Sequence, residues 1–167
     1  MELTMEGSPA KREPLGVGKA ILFGWLTVGV LDGLDACLFW YFRTGATPAR
    51  IFQSVAAGFF GREAAVAGGT PVALLGLGVH FLVALTAVTI FVLASRKWPE
   101  LVRRPVLWGV VHGLAVYCFM YYVVMPLSAI GMPKMPTLET LVVFLNNIGI
   151  HIFGVGLPSA YWARRAG

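Results

Sequence analysis

Four long apolar runs, at residues 20–42, 71–94, 106–125 and 138–163, constrain this chain more than any other feature. Each holds about 20 or more residues, enough at 1.5 Å rise per residue to cross a hydrocarbon core of roughly 30 Å. Inside a bilayer no water is present to satisfy free backbone amides, so a spanning segment must be a helix or part of a closed barrel. Barrel strands alternate apolar and polar positions, and these runs do not. The expected fold is therefore an all-α integral membrane bundle of four transmembrane helices, built as a single domain over residues 19–165. Composition supports this solvent assignment. Charged residues make up 13% of the chain and hydrophobic residues 57%, against about 25% charged in an ordinary soluble domain.

The formal charge is +5 and the isoelectric point about 9.6. In a soluble protein such a surplus would suggest nucleic acid as a partner. Here the basic residues flank the apolar runs, so the lipid bilayer is the expected partner and nucleic acid is not. Lys11, Arg12, Lys19, Arg96, Lys97, Arg103, Arg104, Arg164 and Arg165 fall on one side of a four-span topology. Arg43, Arg50, Arg62 and Lys134 fall on the other. Because cytoplasmic flanks carry the excess of Lys and Arg, both termini are expected in the cytoplasm. Residues 1–18 read as a flexible cytoplasmic tail. The two cysteines, Cys37 and Cys118, both lie within apolar runs and suggest buried thiols rather than a disulfide framework.

The first loop carries its own signal. Over residues 48–65, Ile51, Phe52, Val55, Phe59 and Phe60 form an apolar stripe at helical spacing. Thr47 is a good N-cap, Pro48 suits the first helical position, and Gly68-Gly69 ends the segment. An amphipathic helix results, either lying in the membrane interface or packed over the end of the bundle as a lid. The third loop, with three prolines and Gly131, reads as an ordered turn. Thr137 is then the expected N-cap of the last helix, with Glu139 in its first turn.

Glycines punctuate all four runs. Gly29 and Gly33, Gly109 and Gly113, Gly76 and Gly78, and Gly149, Gly154 and Gly156 allow close approach of helix backbones. Such contacts hold a monomer together or build a homo-oligomer, and spacing alone does not separate the two.

Polar residues within the runs carry the functional information. Asp32 and Asp35 lie in the first run, His80 in the second, His112 in the third, and Asn146, Asn147 and His151 in the fourth. Burying a charge near the bilayer centre costs about 2.5–3.5 kcal/mol even on the mildest scale, so these side chains should face protein or water. Counted from the helix ends, Asp32 and His80 fall about 15 Å deep and His112 and His151 roughly 20 Å. Asp32, His80, His112 and His151 are thus expected to form one connected layer, with His80 the member most prone to point elsewhere. Three uses of such a layer stay open: interhelical hydrogen bonding, a proton or ion path, and a metal or haem site ligated by Asp32, His80, His112 and His151. No His-x-x-x-His pair, nucleophile elbow or phosphate loop accompanies it, so no catalytic residue and no cofactor is expected. Ser54 and Ser128 lie outside any Gly-x-Ser-x-Gly frame.

The second half, from Gly76 to Arg165, is similar to small bacterial inner-membrane proteins of the YagU type. The likeness runs through Leu75-Gly76-Leu77-Gly78-Val79-His80, Pro99, Gly109 to Gly113 with His112, and Met125-Pro126-Leu127. It continues through Glu139, Gly149-Ile150-His151-Ile152-Phe153 and Arg164-Arg165. The resemblance implies a bacterial inner-membrane location and brings no activity with it. The functional expectation is a multi-pass inner-membrane protein whose Asp/His layer is structural or conducts protons, with a metal- or haem-binding membrane enzyme as the alternative.

Overall fold

A computed structural model describes residues 13–131, 137 and 140–167. In chain order, helix α1 covers Val17–Thr44, α2 Pro48–Phe60, α3 Arg62–Ala67, α4 Gly69–Lys97 and α5 Glu100–Arg103. Helix α6 covers Pro105–Leu127 and α7 covers Leu141–Arg165. Helices α1, α4, α6 and α7 are long and apolar enough to cross a membrane. No strand occurs among the described residues. The expected all-α bundle of four spans is what the chain forms. Its outer surface is hydrocarbon: Leu34, Leu82, Ile90 and Phe153 are each more than half exposed. That surface suits lipid and would be unstable in water.

Close helix contacts explain the glycines. Helices α1 and α4 meet where Gly29 leaves room for Phe81 and Gly33 leaves room for His80. A Cβ on Gly29 would stand 2.5 Å from the Phe81 ring. Trp25 Nε1 donates to the Phe81 carbonyl at 2.7 Å across the same seam. On the other side of the bundle, Gly109 and Gly113 of α6 face Gly156 and the His151 carbonyl of α7. Both α6 and α7 contain a π turn, at Met120–Val124 and at His151–Gly156. The glycines just named serve contacts within one chain.

Buried side chains fill one half of the bundle. Val28, Ala84, Val88, Phe91, Val92, Val155 and Ala160 form a continuous core toward the end that carries both chain termini. At that end Leu15 N donates to the Arg165 carbonyl at 2.9 Å, and Arg96 bonds the Gly167 carbonyl. The N-terminal tail expectation falls largely on residues 1–12, outside the described residues, and helix α1 already begins at Val17.

Several sequence expectations shift. The first-loop helix starts as expected, with Thr47 Oγ1 accepting from the Arg50 amide at 3.4 Å and Pro48 at the first position. It is broken, however, at Gly61, whose φ of 79° suits only glycine, so residues 48–65 form α2 and the start of α3. This helix packs on the bundle as a lid would, and its exposed Phe59 and Phe60 also suit the membrane interface. Its Gln53, Ala56 and Ala57 are buried, and Gly76 of α4 fits beneath the Phe52 carbonyl. Gln53 Nε2 donates to the Gly69 carbonyl at 2.9 Å. The expected apolar stripe is split: Ile51 and Val55 turn inward, while Phe59 and Phe60 stay exposed. Helix α6 runs through Pro126 to Leu127 instead of stopping before it. Helix α7 is described from Leu141, with Thr140 at the N-cap position and no side-chain cap bond there. Thr137 makes the capping bonds expected of it one turn earlier: its Oγ1 accepts from the Thr140 amide at 3.4 Å, and its amide donates to Thr140 Oγ1 at 2.7 Å. Glu139, and the turn expected around Pro133 and Pro136, lie outside the described residues.

Candidate functional site

The half of the bundle away from the termini is hollow. A partly open cavity of about 460 Å³ is lined by all four long helices and by Ile51, Ser54 and Val55 of α2. Its walls are mainly apolar, from Val28, Ala36, Val55, Val83, Val116 and Met120 among others. Its polar lining comes from Asp32 and Trp40 of α1, Ser54 of α2, His80 of α4, Tyr117 and Tyr121 of α6, and Asn147 and His151 of α7. Toward the termini the packed core closes it, so it is a dead-ended chamber and not a through channel.

Asp32 and His80 form its ionisable pair. Helix α1 presents Asp32 one turn beyond Val28, and Gly29 and Gly33 let the His80 ring reach the α1 backbone. His80 Nε2 lies 2.9 Å from the Gly29 carbonyl. A carbonyl only accepts, so Nε2 must carry hydrogen and donate. This leaves Nδ1 facing Asp32 Oδ2 at 3.7 Å, ion-pair distance rather than hydrogen-bond distance.

His151 opens the π turn of α7. Its Nδ1 lies 2.7 Å from the Asn147 carbonyl and donates to it by the same logic, leaving Nε2 as the acceptor nitrogen of a cavity-lining ring. The Tyr117 ring stands edge-on to it, with centroids 5.6 Å apart. Tyr117 is 4% exposed, and its hydroxyl is buried without a hydrogen-bond partner. The Tyr117 ring lines the cavity, while its hydroxyl is closed off by packing.

The remaining polar residues divide. Asp35 faces outward, where Asn146 Nδ2 donates to its Oδ2 at 2.8 Å. His112 stands apart from the cavity, its ring packed on Phe91 at 4.8 Å between centroids and its Nε2 buried without a partner. The expected four-membered layer is thus corrected to one pair, Asp32 and His80. His151 shares their chamber but bonds its own helix, and His112 lies elsewhere. His80, expected as the stray, is the best anchored of the three histidines. Depth along each helix places these residues at one level, but the azimuth of α6 turns His112 away.

As a ligand set for metal or haem the four residues do not converge. Among the described residues no group of three or more His, Cys, Asp or Glu side chains is placed to hold a metal ion. Both nitrogens of His80 are engaged, one by Gly29 and one toward Asp32. Cys37 and Cys118 are free thiols. Sequence reasoning passed over Trp40, Tyr117 and Tyr121, which look like ordinary membrane aromatics. The available signal was a phenol well inside a span, away from the interface where tyrosines usually sit. Ser54 was set aside because it lacks a catalytic frame, and α2 packing is what brings it to the chamber.

No family model matches this chain, and comparison with curated proteins and with solved structures gave no match either.

Proposed function

We propose that the chain is a bacterial inner-membrane protein, with both termini cytoplasmic, that holds and releases a proton at a dead-ended intramembrane chamber. One observation carries this reading: the Gly29 carbonyl fixes the hydrogen of His80 on Nε2 and leaves Nδ1 turned to the Asp32 carboxylate, 3.7 Å away. Imidazole is the side chain suited to exchanging a proton near neutral pH. The same pair also ties α1 to α4, so it supports the bundle as well. The chamber lies on the side expected to face out, and proton exchange across the whole membrane would require the core beneath it to part. The location follows the distribution of Lys and Arg and the YagU-type likeness of residues 76–165.

The test is nitrogen NMR of ¹⁵N-histidine-labelled protein in bilayers. At high pH, His80 should show hydrogen on Nε2 only, and its Nδ1 signal should change with pH and differ between the native chain and Asp32→Asn. A hydrogen on Nδ1 at high pH, or an Nδ1 signal identical in the two across the pH range, would sink the proposal. Orientation is checked by cysteine labelling in intact cells after removal of Cys37 and Cys118. Gly61→Cys should react with an impermeant reagent and Ala166→Cys should not; the reverse pattern would invert the topology.

A further inference from the structure

We infer that the chamber is a binding site for a lipid-soluble molecule with a small neutral hydroxyl head, admitted sideways from the bilayer between α1 and α7. The inference rests on the chamber described above but not on proton movement, so each is tested separately.

Its volume of about 460 Å³ falls within the roughly 300–1,000 Å³ of small-molecule pockets, and apolar walls with few polar groups are their usual lining. The polar groups say what the head must be. His151 Nδ1 is taken by its own helix, which leaves Nε2 as an acceptor on a chamber-lining ring. An alcohol satisfies it by donating, and a ketone does not. A carboxylate or phosphate would meet Asp32 in the same chamber and is disfavoured. The hydrocarbon body of the guest would lie along Val55, Val116 and Met120.

Entry from the terminal side is closed by the core, and α2 lines the opposite side through Ile51, Ser54 and Val55. The seam between α1 and α7 is different. The first part of α7, Leu141–Ile150, has no buried residue. On its lipid face a groove of about 530 Å³ runs between α1 and α7, lined by Phe39, Leu145 and Phe153. The groove also contains Asp35 and Asn146, joined across the seam by their 2.8 Å hydrogen bond. The next residue, Asn147, lines the chamber. Successive asparagines thus stand on the two sides of one thin wall, and the Asp35–Asn146 bond latches it. A Cβ on Gly149 would meet nothing within 4 Å, so the groove has slack at this point. The Asp35–Asn146 bond is the polar tie across this part of the seam, and a guest with its own polar head can replace it.

The probe is dodecanol carrying an alkyl diazirine, with the matching diazirine alkane as control, photolysed with protein in lipid bilayers and mapped by mass spectrometry. The protein carries Cys37→Ala, Cys118→Ala, Asp35→Cys and Asn146→Cys, with and without a short bis-methanethiosulfonate crosslink that reductant removes. Uncrosslinked protein should give adducts on the chamber face of α6, at Tyr117, Met120 and Tyr121, favouring the alcohol over the alkane. Crosslinking should lower them several-fold and reduction should restore them. Adducts on lipid-facing Leu82 and Ile90 should not change. His151→Phe should erase the preference for the alcohol while leaving alkane labelling as it was. Chamber adducts that persist at full level in the crosslinked protein would overturn the lateral route. Absence of chamber adducts, or equal labelling by both probes in the unsubstituted His151 background, would overturn the site. None of these results bears on the protonation of His80.

Discussion

At the scale of single residues, the Gly29 carbonyl decides what His80 does. An imidazole with two free nitrogens could adopt either tautomer, whereas one held at Nε2 presents a defined face to Asp32. A thermodynamic cycle on Asp32→Asn and His80→Gln should therefore show coupling of about 0.6 kcal/mol, and up to roughly 1.7, the range for polar pairs within membranes. The cycle on Asp32→Asn and His112→Gln should instead be additive to within about 0.3–0.5 kcal/mol, as for sites without shared partners. Unfolding followed by steric trapping in bicelles measures both; coupling in the second cycle would contradict the separation of His112. That separation was not legible in the sequence. Rise per residue reports depth well, and it placed Asp32 and His80 together at about 15 Å. Rotation about the helix axis is set by packing. On α6 the packing of Gly109 and Gly113 against α7 leaves His112 against Phe91 and puts Tyr117 at the chamber.

At the scale of helices, the spans were readable because a bilayer admits so few alternatives. Their ends were readable only to a few residues, since polar ends extend the helix past the apolar run, as Val17 and Thr44 do for α1. The π turns were not readable. A π turn inserts one residue and rotates everything beyond it by about 100°, and apolar periodicity drawn on a regular helix misses the rotation. Asn146 and Asn147 precede the π turn of α7, and they end on opposite sides of a wall because neighbours on a regular helix point about 100° apart. Glycine contacts sharpen into a prediction. A Cβ on Gly113 would collide with the His151 carbonyl, and one on Gly156 with the Gly109 carbonyl, both rigid backbone. Gly113→Ala or Gly156→Ala should cost about 1–3 kcal/mol, the range for overpacking. Gly78 and Gly149 meet nothing within 4 Å, so alanine there should be neutral or stabilise by up to about 1 kcal/mol through helix propensity. Thermal unfolding in detergent ranks the four variants, and equal losses at all four would refute the packing of α6 on α7.

At the scale of the whole molecule, the bundle is solid toward the termini and hollow away from them. The consequence is temporal. Amides in the packed half, around Val88, Val92 and Val155, are released only when the entire bundle comes apart, because their neighbours on three helices are fixed. Amides of Leu141–Ile150 belong to a helix portion with no buried residue, whose side chains have little to lose by letting go. Deuterium should therefore enter residues 141–150 well before residues 84–92, in nanodiscs as in detergent, and similar rates in both would contradict this division. A helix that opens briefly and often along the chamber wall also sets a clock for any guest. Residence time inside would be governed by how often that half-helix lifts, rather than by how tightly the guest is held.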